Sequence, residues 1–279
     1  MTYLKAALAE LINRRRRIRD ETRKLKEISR LPIEPDALRC VTRRELADRL
    51  DCAETHGEWS QAETGLQSAC QIEDLKTDGV NPGDRRALWY LVKSFGARSV
   101  LEIGTNVGAS TFYLATALKS SAGADNARLV TVDIEDVNHE ATGEWKRRGL
   151  LSSPREMIRK IGGREFVTFV HKTSLQYLDG CSETFDVIFL DGDHTAATVY
   201  QEVSLSLKLL NHDGIILLHD YFPRNRPLWK GNLPRVGPYV ALSRVRKENP
   251  QISVLPLNEL PWPTKLGTQK TTLALVTRN

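Results

Sequence analysis

The sequence predicts an α/β protein built on a doubly wound, mostly parallel sheet, and three observations carry that reading. From Asn81 onward, short β-rich runs alternate with helical stretches, a pattern that implies right-handed crossovers between parallel strands. The run Ser99-Val100-Leu101-Glu102-Ile103 feeds a glycine-containing turn and then a helix opening at Ser110, the unit that places ligands at the carboxyl end of such sheets. The chain closes with two strand candidates and no helical pattern between them, which reads as a hairpin carrying an antiparallel edge strand.

Taken in order, residues 1–30 lack internal Gly and Pro and read as one helix with a narrow apolar stripe of Leu4, Leu8, Leu11, Ile12, Ile18, Leu25 and Ile28. Pro32 and Pro35 break it, and Glu45 to Cys52 reads as a short helix. Residues 1–80 are therefore expected to be a helical extension, a cap or dimer segment, and residues 81–279 the sheet domain. Asn81 suits an N-cap, Pro82 the first helical position, and Gly96 the position past the end. The expected strands are Ser99–Ile103, Leu129–Asp133, Phe166–His171, Asp186–Asp191, Gly214–His219, Ile252–Leu257 and Thr271–Thr277, seven in all. Helices are expected at Ser110–Lys119, Pro154–Ile161, Ser174–Leu178, Thr195–Leu210 and Tyr239–Lys247.

Composition narrows the class. The chain of 279 residues is 41% hydrophobic and 27% charged, as expected of a soluble globular protein. Its apolar runs are too short to span a bilayer. Met1 to Ile12 carries Lys5 and Glu10 and runs into arginines, unlike a secretory leader. The cysteines Cys40, Cys52, Cys70 and Cys181 form no CxxC pair and read as free thiols in a reducing, cytoplasmic compartment.

The charge is uneven. Residues 14–30 carry nine basic and three acidic side chains, a balance of +6, whereas the whole chain sums to +5. The first 13 residues cancel, so the remainder is −1. A basic face on the catalytic part, expected of an enzyme that tracks nucleic-acid phosphates, is missing. The basic helix reads as a solvated face whose stripe docks on the body or on a second copy of the chain.

The turn Gly104-Thr105-Asn106-Val107-Gly108 departs from the dinucleotide fingerprint, because Asn106 and Ala109 stand at its second and third glycine positions. Gly104 allows a tight turn, and Gly108 lets backbone approach a ligand. Helix N-terminal amides with Ser110 suit an anion. Asp133 ends the next strand about 30 residues on, where a carboxylate can accept from both ribose hydroxyls.

Four segments in this order, Glu102–Ser110 (EIGTNVGAS), Val132-Asp133, Phe189–Thr195 (FLDGDHT) and Ile216–Tyr221 (ILLHDY), resemble the class I S-adenosylmethionine-dependent methyltransferases. The resemblance is to the small-molecule O-methyltransferases, the branch of catechol O-methyltransferase and the macrolide-sugar and antibiotic-tailoring enzymes. It covers Asn81 to Phe222 and implies a Rossmann-like sheet. It also implies an S-adenosylmethionine site made by Glu102, Gly104, Thr105, Asn106, Gly108, Ser110, Asp133, Ser174 and Asp191. Glu102 would face the methionine end, Ser110 its carboxylate and Asp133 the ribose, with Lys172-Thr173-Ser174 near the adenine.

Methyl transfer to a hydroxyl calls for proton removal or polarisation by a cation. Asp191-Gly192-Asp193-His194 and His219-Asp220 close neighbouring strands, and clustered carboxylates there suit Mg²⁺. In metal-dependent relatives the ligands correspond to Asp191 and Asp220 plus a carboxylate before Asp220 or an Asn after it. Here the neighbours are His219 and Tyr221, so Asp191, Asp220 and His219 form the candidate metal set. The base in the tailoring enzymes corresponds to Asp193, and in the catechol branch to the position of His194. Asp193 and Thr195 also suit the cap of the following helix. Phe222 to Pro238 is a Pro-rich loop fit for a substrate wall, with Trp229 for stacking and Arg224, Arg226 or Arg235 for an anionic group. The expected reaction is methylation of a hydroxyl on a small metabolite; the alternative is N-methylation or nucleic-acid modification through the basic helix.

Overall fold

The computed structural model describes residues 2–28, 31, 33–51, 56–70 and 80–279. Expectations for Ser29, Arg30, Pro32 and Cys52 fall outside the described residues. Helix α1 (Thr2–Lys26) is followed by α2 (Arg43–Leu50), α3 (His56–Cys70) and α4 (Pro82–Ser94). The alternating part runs β1 (Ser99–Ile103), α5 (Ala109–Ala122), β2 (Arg128–Asp133), α6 (Glu144–Arg147), α7 (Pro154–Lys160), β3 (Val167–His171), α8 (Ser174–Gly180), β4 (Phe185–Leu190), α9 (Ala196–Lys208) and β5 (Leu210–Leu218). It ends with α10 (Val236–Glu248), β6 (Ile252–Pro256) and β7 (Ala274–Arg278).

The sheet has seven strands in the order β3-β2-β1-β4-β5-β7-β6. Strands β1 to β5 pair in parallel, whereas β7 pairs antiparallel with both β5 and β6. The expected C-terminal hairpin is present, and it inserts β7 inside while β6 takes the edge. Strand order reverses between β1 and β4, which opens a crevice at their carboxyl ends.

Both faces are covered, so the central strands read as continuous apolar runs. Alternation still sorts them: Val100, Leu129, Val187, Phe189 and Leu217 pack with α4, α5 and α7 residues such as Leu88, Phe112 and Met157. Leu101, Val130, Ile188, Leu190 and Leu218 pack with Val199, Val203 and Leu242 of α9 and α10. Glu102 has the parity of Val100 and so points toward α5.

The extension is joined to these layers. Trp59 and Leu66 of α3 and Leu46 and Leu50 of α2 belong to the first cluster, and Leu25 of α1 to the second. Helix α3 carries no Pro or strong apolar period that marked it in the sequence; its contacts with α5 and α7 hold it in place. The N-cap expected of Asn81 is present, its Oδ1 accepting from the Gly83 and Asp84 amides. Gly83 is held against the β6–β7 hairpin, for a Cβ there would lie 2.5 Å from Pro263 O, and Trp262 Nε1 donates to Gly83 O at 2.8 Å.

Candidate active site

A cavity of about 1,060 Å³ opens at the carboxyl ends of β1, β2, β4 and β5. Small-molecule pockets run roughly 300–1,000 Å³, so this one has room for a nucleoside-like ligand and a second molecule. Its lining includes Gly104, Asn106, Asp133, Thr173 and Ser174, together with Asp193, His194, Asp220, Trp229 and Arg235. Asp191 and His219 also line it.

The glycine turn is built by the sheet. Gly104 N donates to Val132 O, and Asp191 N to Ile103 O, both at 2.9 Å. Gly104 has φ 100°, and a Cβ there would lie 2.4 Å from Asp191 O; two constraints exclude a side chain. Asp133 Oδ2 accepts from the Asn106 amide and Oδ1 from the Glu135 amide, each at 2.9 Å. Each oxygen has a further lone pair and Asp133 lines the cavity, so it fixes the turn and retains acceptor capacity.

Three residues expected at the cofactor lie beneath the turn instead. Glu102 is fully buried, accepting from Ser110 Oγ at 2.6 Å, Thr111 Oγ1 at 2.5 Å and Thr131 Oγ1 at 2.6 Å. Since Thr131 donates to Glu102, Thr105 donates to Thr131 across 2.6 Å. Glu102, Ser110 and Thr105 therefore clamp β1, β2 and α5 together, because strand parity aims Glu102 into the helix layer. Burial pushes the Glu102 carboxyl up to about 7, the three hydroxyl donors holding it from rising further and the Asp191 charge adding to the rise. Gly108 also serves packing: its φ is 79°, and a Cβ would lie 2.8 Å from Pro154 Cβ.

Beside this turn the two acidic strand ends meet. His219 Nδ1 lies 3.0 Å from Asp191 Oδ1 and its Nε2 3.2 Å from Asp84 Oδ2, with Asn81 Nδ2 donating to the same Asp84 oxygen at 2.6 Å. Burial opposes a charge on His219, but Asp191, Asp220 and Asp84 together hold its imidazole well above the ordinary value. Asp220, at φ 55°, is 2.7 Å from His194 Nε2 and 3.7 Å from Arg235 Nε. Burial raises its carboxyl, yet His219, His194 and Arg235 outweigh that and hold it down to about 2.

Asp191, His219 and Asp220 each bring one ligand atom to within 4.8 Å of the others. Two carboxylates and an imidazole fit a divalent cation that accepts nitrogen better than they fit Mg²⁺, which prefers oxygen. Asp84 behind His219 is the outer-shell carboxylate such a histidine needs. To ligate, His219 would give up the proton shared with Asp191.

Asp193 sits on the rim, but Oδ1 accepts from Thr195 N at 2.6 Å and Oδ2 from Thr198 Oγ1 at 3.0 Å. With Thr195 as N-cap, it orders the start of α9. Trp229 and Arg235 line the cavity whereas Arg224 and Arg226 do not, and Lys265 and Leu233 join them. Asp84, Lys265 and Glu202 were not singled out in the sequence. Asp84 is a helix first-turn acid, and only the β5 register brings His219 to it. Glu202 is buried behind Gly192; burial pushes its carboxyl up to about 7 against a hydrogen bond from Ser174.

Residues 101–221 match the family model described as a methyltransferase domain. A Mycolicibacterium smegmatis protein named for O-methyltransferase activity is 23% identical over 176 residues, 62% of this chain and 76% of its own. Among solved structures, the O-methyltransferase from Bacillus cereus in complex with S-adenosylhomocysteine superposes with a TM-score of 0.55 at 24% identity, over 79% of this chain and 91% of that one. TomG from Streptomyces achromogenes, an O-methyltransferase involved in tomaymycin synthesis and solved with S-adenosylmethionine, gives 0.53 at 17% identity over 86% of this chain and all of that one. Together with the β3-β2-β1-β4-β5-β7-β6 sheet and the cavity at its switch point, these matches show a chain that shares the fold of solved O-methyltransferases and is similar, over residues 101–221, to a methyltransferase domain.

Proposed function

We propose that the protein methylates a hydroxyl of a small metabolite, with His194 as the group that takes the hydroxyl proton. The observation that carries this is the contact of 2.7 Å between His194 Nε2 and Asp220 Oδ2 on the wall of the cavity that begins at Gly104 and Asp133. When bound, S-adenosylmethionine supplies an electrophilic methyl carbon and leaves as S-adenosylhomocysteine. The Gly104–Asn106 turn and Asp133 hold its nucleoside end, and Thr173 and Ser174 flank the neighbouring wall. Asp220 orients the His194 ring so that a proton leaving the acceptor oxygen has a base within reach. Asp193, with both oxygens engaged in the α9 cap, is assigned to ordering that turn.

Asp191, Asp220 and His219 are the residues that would hold a divalent cation. Such an ion would polarise the acceptor hydroxyl. Trp229, Phe222 and Leu233 offer an apolar wall for a planar or sugar-like acceptor. A small acceptor fits the −1 balance outside residues 14–30. The exposed Leu8 and Ile12 of α1 suit contact with a second copy of the chain. A cytoplasmic setting accords with the unpaired Cys40 and Cys181, and no described helix is long and apolar enough to cross a membrane.

The test is calorimetry with S-adenosylhomocysteine, followed by methyl transfer from labelled S-adenosylmethionine to a panel of hydroxylated metabolites, with and without a chelator. Absence of S-adenosylhomocysteine binding removes the reading. Transfer to amines but not hydroxyls replaces it with N-methylation.

A further inference from the structure

The basic N-terminal helix has one carboxylate that faces inward. Glu21, on α1, reaches 175 residues along the chain: its Oε2 accepts from the Ala196 amide at 2.8 Å. Ala196 is the first residue of α9, two positions after His194. The first amides of a helix lack intrahelical partners. Thr195 Oγ1 serves the Thr198 amide, and Glu21 serves that of Ala196. A carboxylate at this end also complements the helix dipole. One turn earlier on α1, Arg17 Nη1 donates to Pro234 O at 3.4 Å, beside Arg235, whose guanidinium faces Asp220. The two stretches that α1 touches are themselves packed tightly, since a Cβ on Gly237 would lie 1.9 Å from His194 O. Below them, Arg244 Nη1 donates to Leu25 O at 2.6 Å, tying the far end of α1 to α10.

We propose that α1 is a brace for the acceptor wall, in which Glu21 is a positioning residue for the Asp193-His194-Thr195 turn and Arg17 for the end of the Phe222–Arg235 loop. The inference rests on reading His194 as an acceptor-side residue, but not on which acceptor is used. It gives the basic helix a role inside the enzyme. The exposed arginines at 15, 16, 19 and 23 keep the outer face solvated, while Glu21 turns in, and the helix packs on α9 and α10.

The experiment compares the full chain with Glu21→Ala and Glu21→Gln. Gln keeps a carbonyl oxygen that can accept from Ala196 N, whereas Ala removes the acceptor. Amide hydrogen exchange, the side-chain nitrogen chemical shifts of His194 and the Kd for S-adenosylhomocysteine are measured for each. Expected in Glu21→Ala is at least tenfold faster exchange at residues 194–198, with shifted His194 signals. Exchange in β1 and β2 is unchanged, and the S-adenosylhomocysteine Kd stays within about twofold. Glu21→Gln is expected to restore most of the protection. Unchanged exchange at 194–198 overturns the proposal, as does faster exchange spread over the whole sheet, which would mark Glu21 as a general stability residue. Failure of the unmodified protein to bind S-adenosylhomocysteine would instead count against the cofactor site and leave the exchange result to judge the brace. Arg17→Met extends the test: faster exchange confined to residues 229–237 is expected, and no change there overturns its half of the brace.

Discussion

His194 Nε2 and Asp220 Oδ2 stand 2.7 Å apart although they close different strands. The pair exists because β4 and β5 run side by side in register, Leu190 opposite Leu218, so the loops leaving them share one rim. Removing the imidazole should therefore act on chemistry more than on cofactor binding. His194→Ala is expected to lower kcat by about 10²–10⁴-fold, with the Kd for S-adenosylhomocysteine within twofold of the original. An equal loss in both would show that His194 shapes the cofactor site.

Asp133 tests cofactor binding. Replacing it by Ala leaves the Asn106 amide without its acceptor and takes away the carboxylate proposed for a ribose. The loss should be on the order of 1–3 kcal/mol, read in calorimetry as roughly a ten- to hundredfold weaker Kd for S-adenosylhomocysteine. Asp133→Asn should fall between the two, because its side-chain oxygen can still accept from Asn106.

Gly104 is constrained by its dihedral and by its neighbour, with Asp191 O 2.4 Å from where a Cβ would stand. Gly104→Ala should destabilise by about 1–3 kcal/mol. It should also lower the melting temperature by several degrees, as expected for a chain of this size. Calorimetry should find S-adenosylhomocysteine binding reduced as well. Gly123→Ala, whose Cβ would meet no atom within 4 Å, is the control for a positive φ alone.

The buried Glu102 carboxyl, raised to about 7, sets a pH dependence with a definite sign. Its folded value lies above the unfolded one, so its contribution is full below about pH 4.5, declines as pH rises, and is lost above about 7. The change across that window is on the order of 3 kcal/mol. Glu102→Gln removes the titration, so its melting temperature relative to the original should climb between pH 5 and pH 8. A flat difference would mean the three hydroxyl donors fully offset the burial.

The outer part of α1 provides the last test. Leu8 and Ile12 are more than half exposed, and if they meet a second copy, Leu8→Glu with Ile12→Glu should shift the protein from dimer to monomer in sedimentation. A monomer before substitution would reject that contact.

Much of this protein was legible in its residues because the signals are local. Strand–helix alternation, the Asn81-Pro82 cap and the order of EIGTNVGAS, VD, FLDGDHT and ILLHDY each depend on a few adjacent positions. They were enough for the fold class, the switch-point crevice and the candidate residues at its rim. The tertiary structure decided which of those side chains face the cavity and which lie under it. Strand parity sends Glu102 into the helix layer, so Ser110, Thr111 and Thr131 satisfy its carboxylate. Parallel register sets His219 between Asp191 and Asp84, residues 28 and 135 positions away. Docking of α1 puts Glu21 on the amide of Ala196. Hydrogen-bond partners so far apart leave no periodic trace in a sequence; only the packing of distant elements, driven by burial of their apolar faces, brings them together.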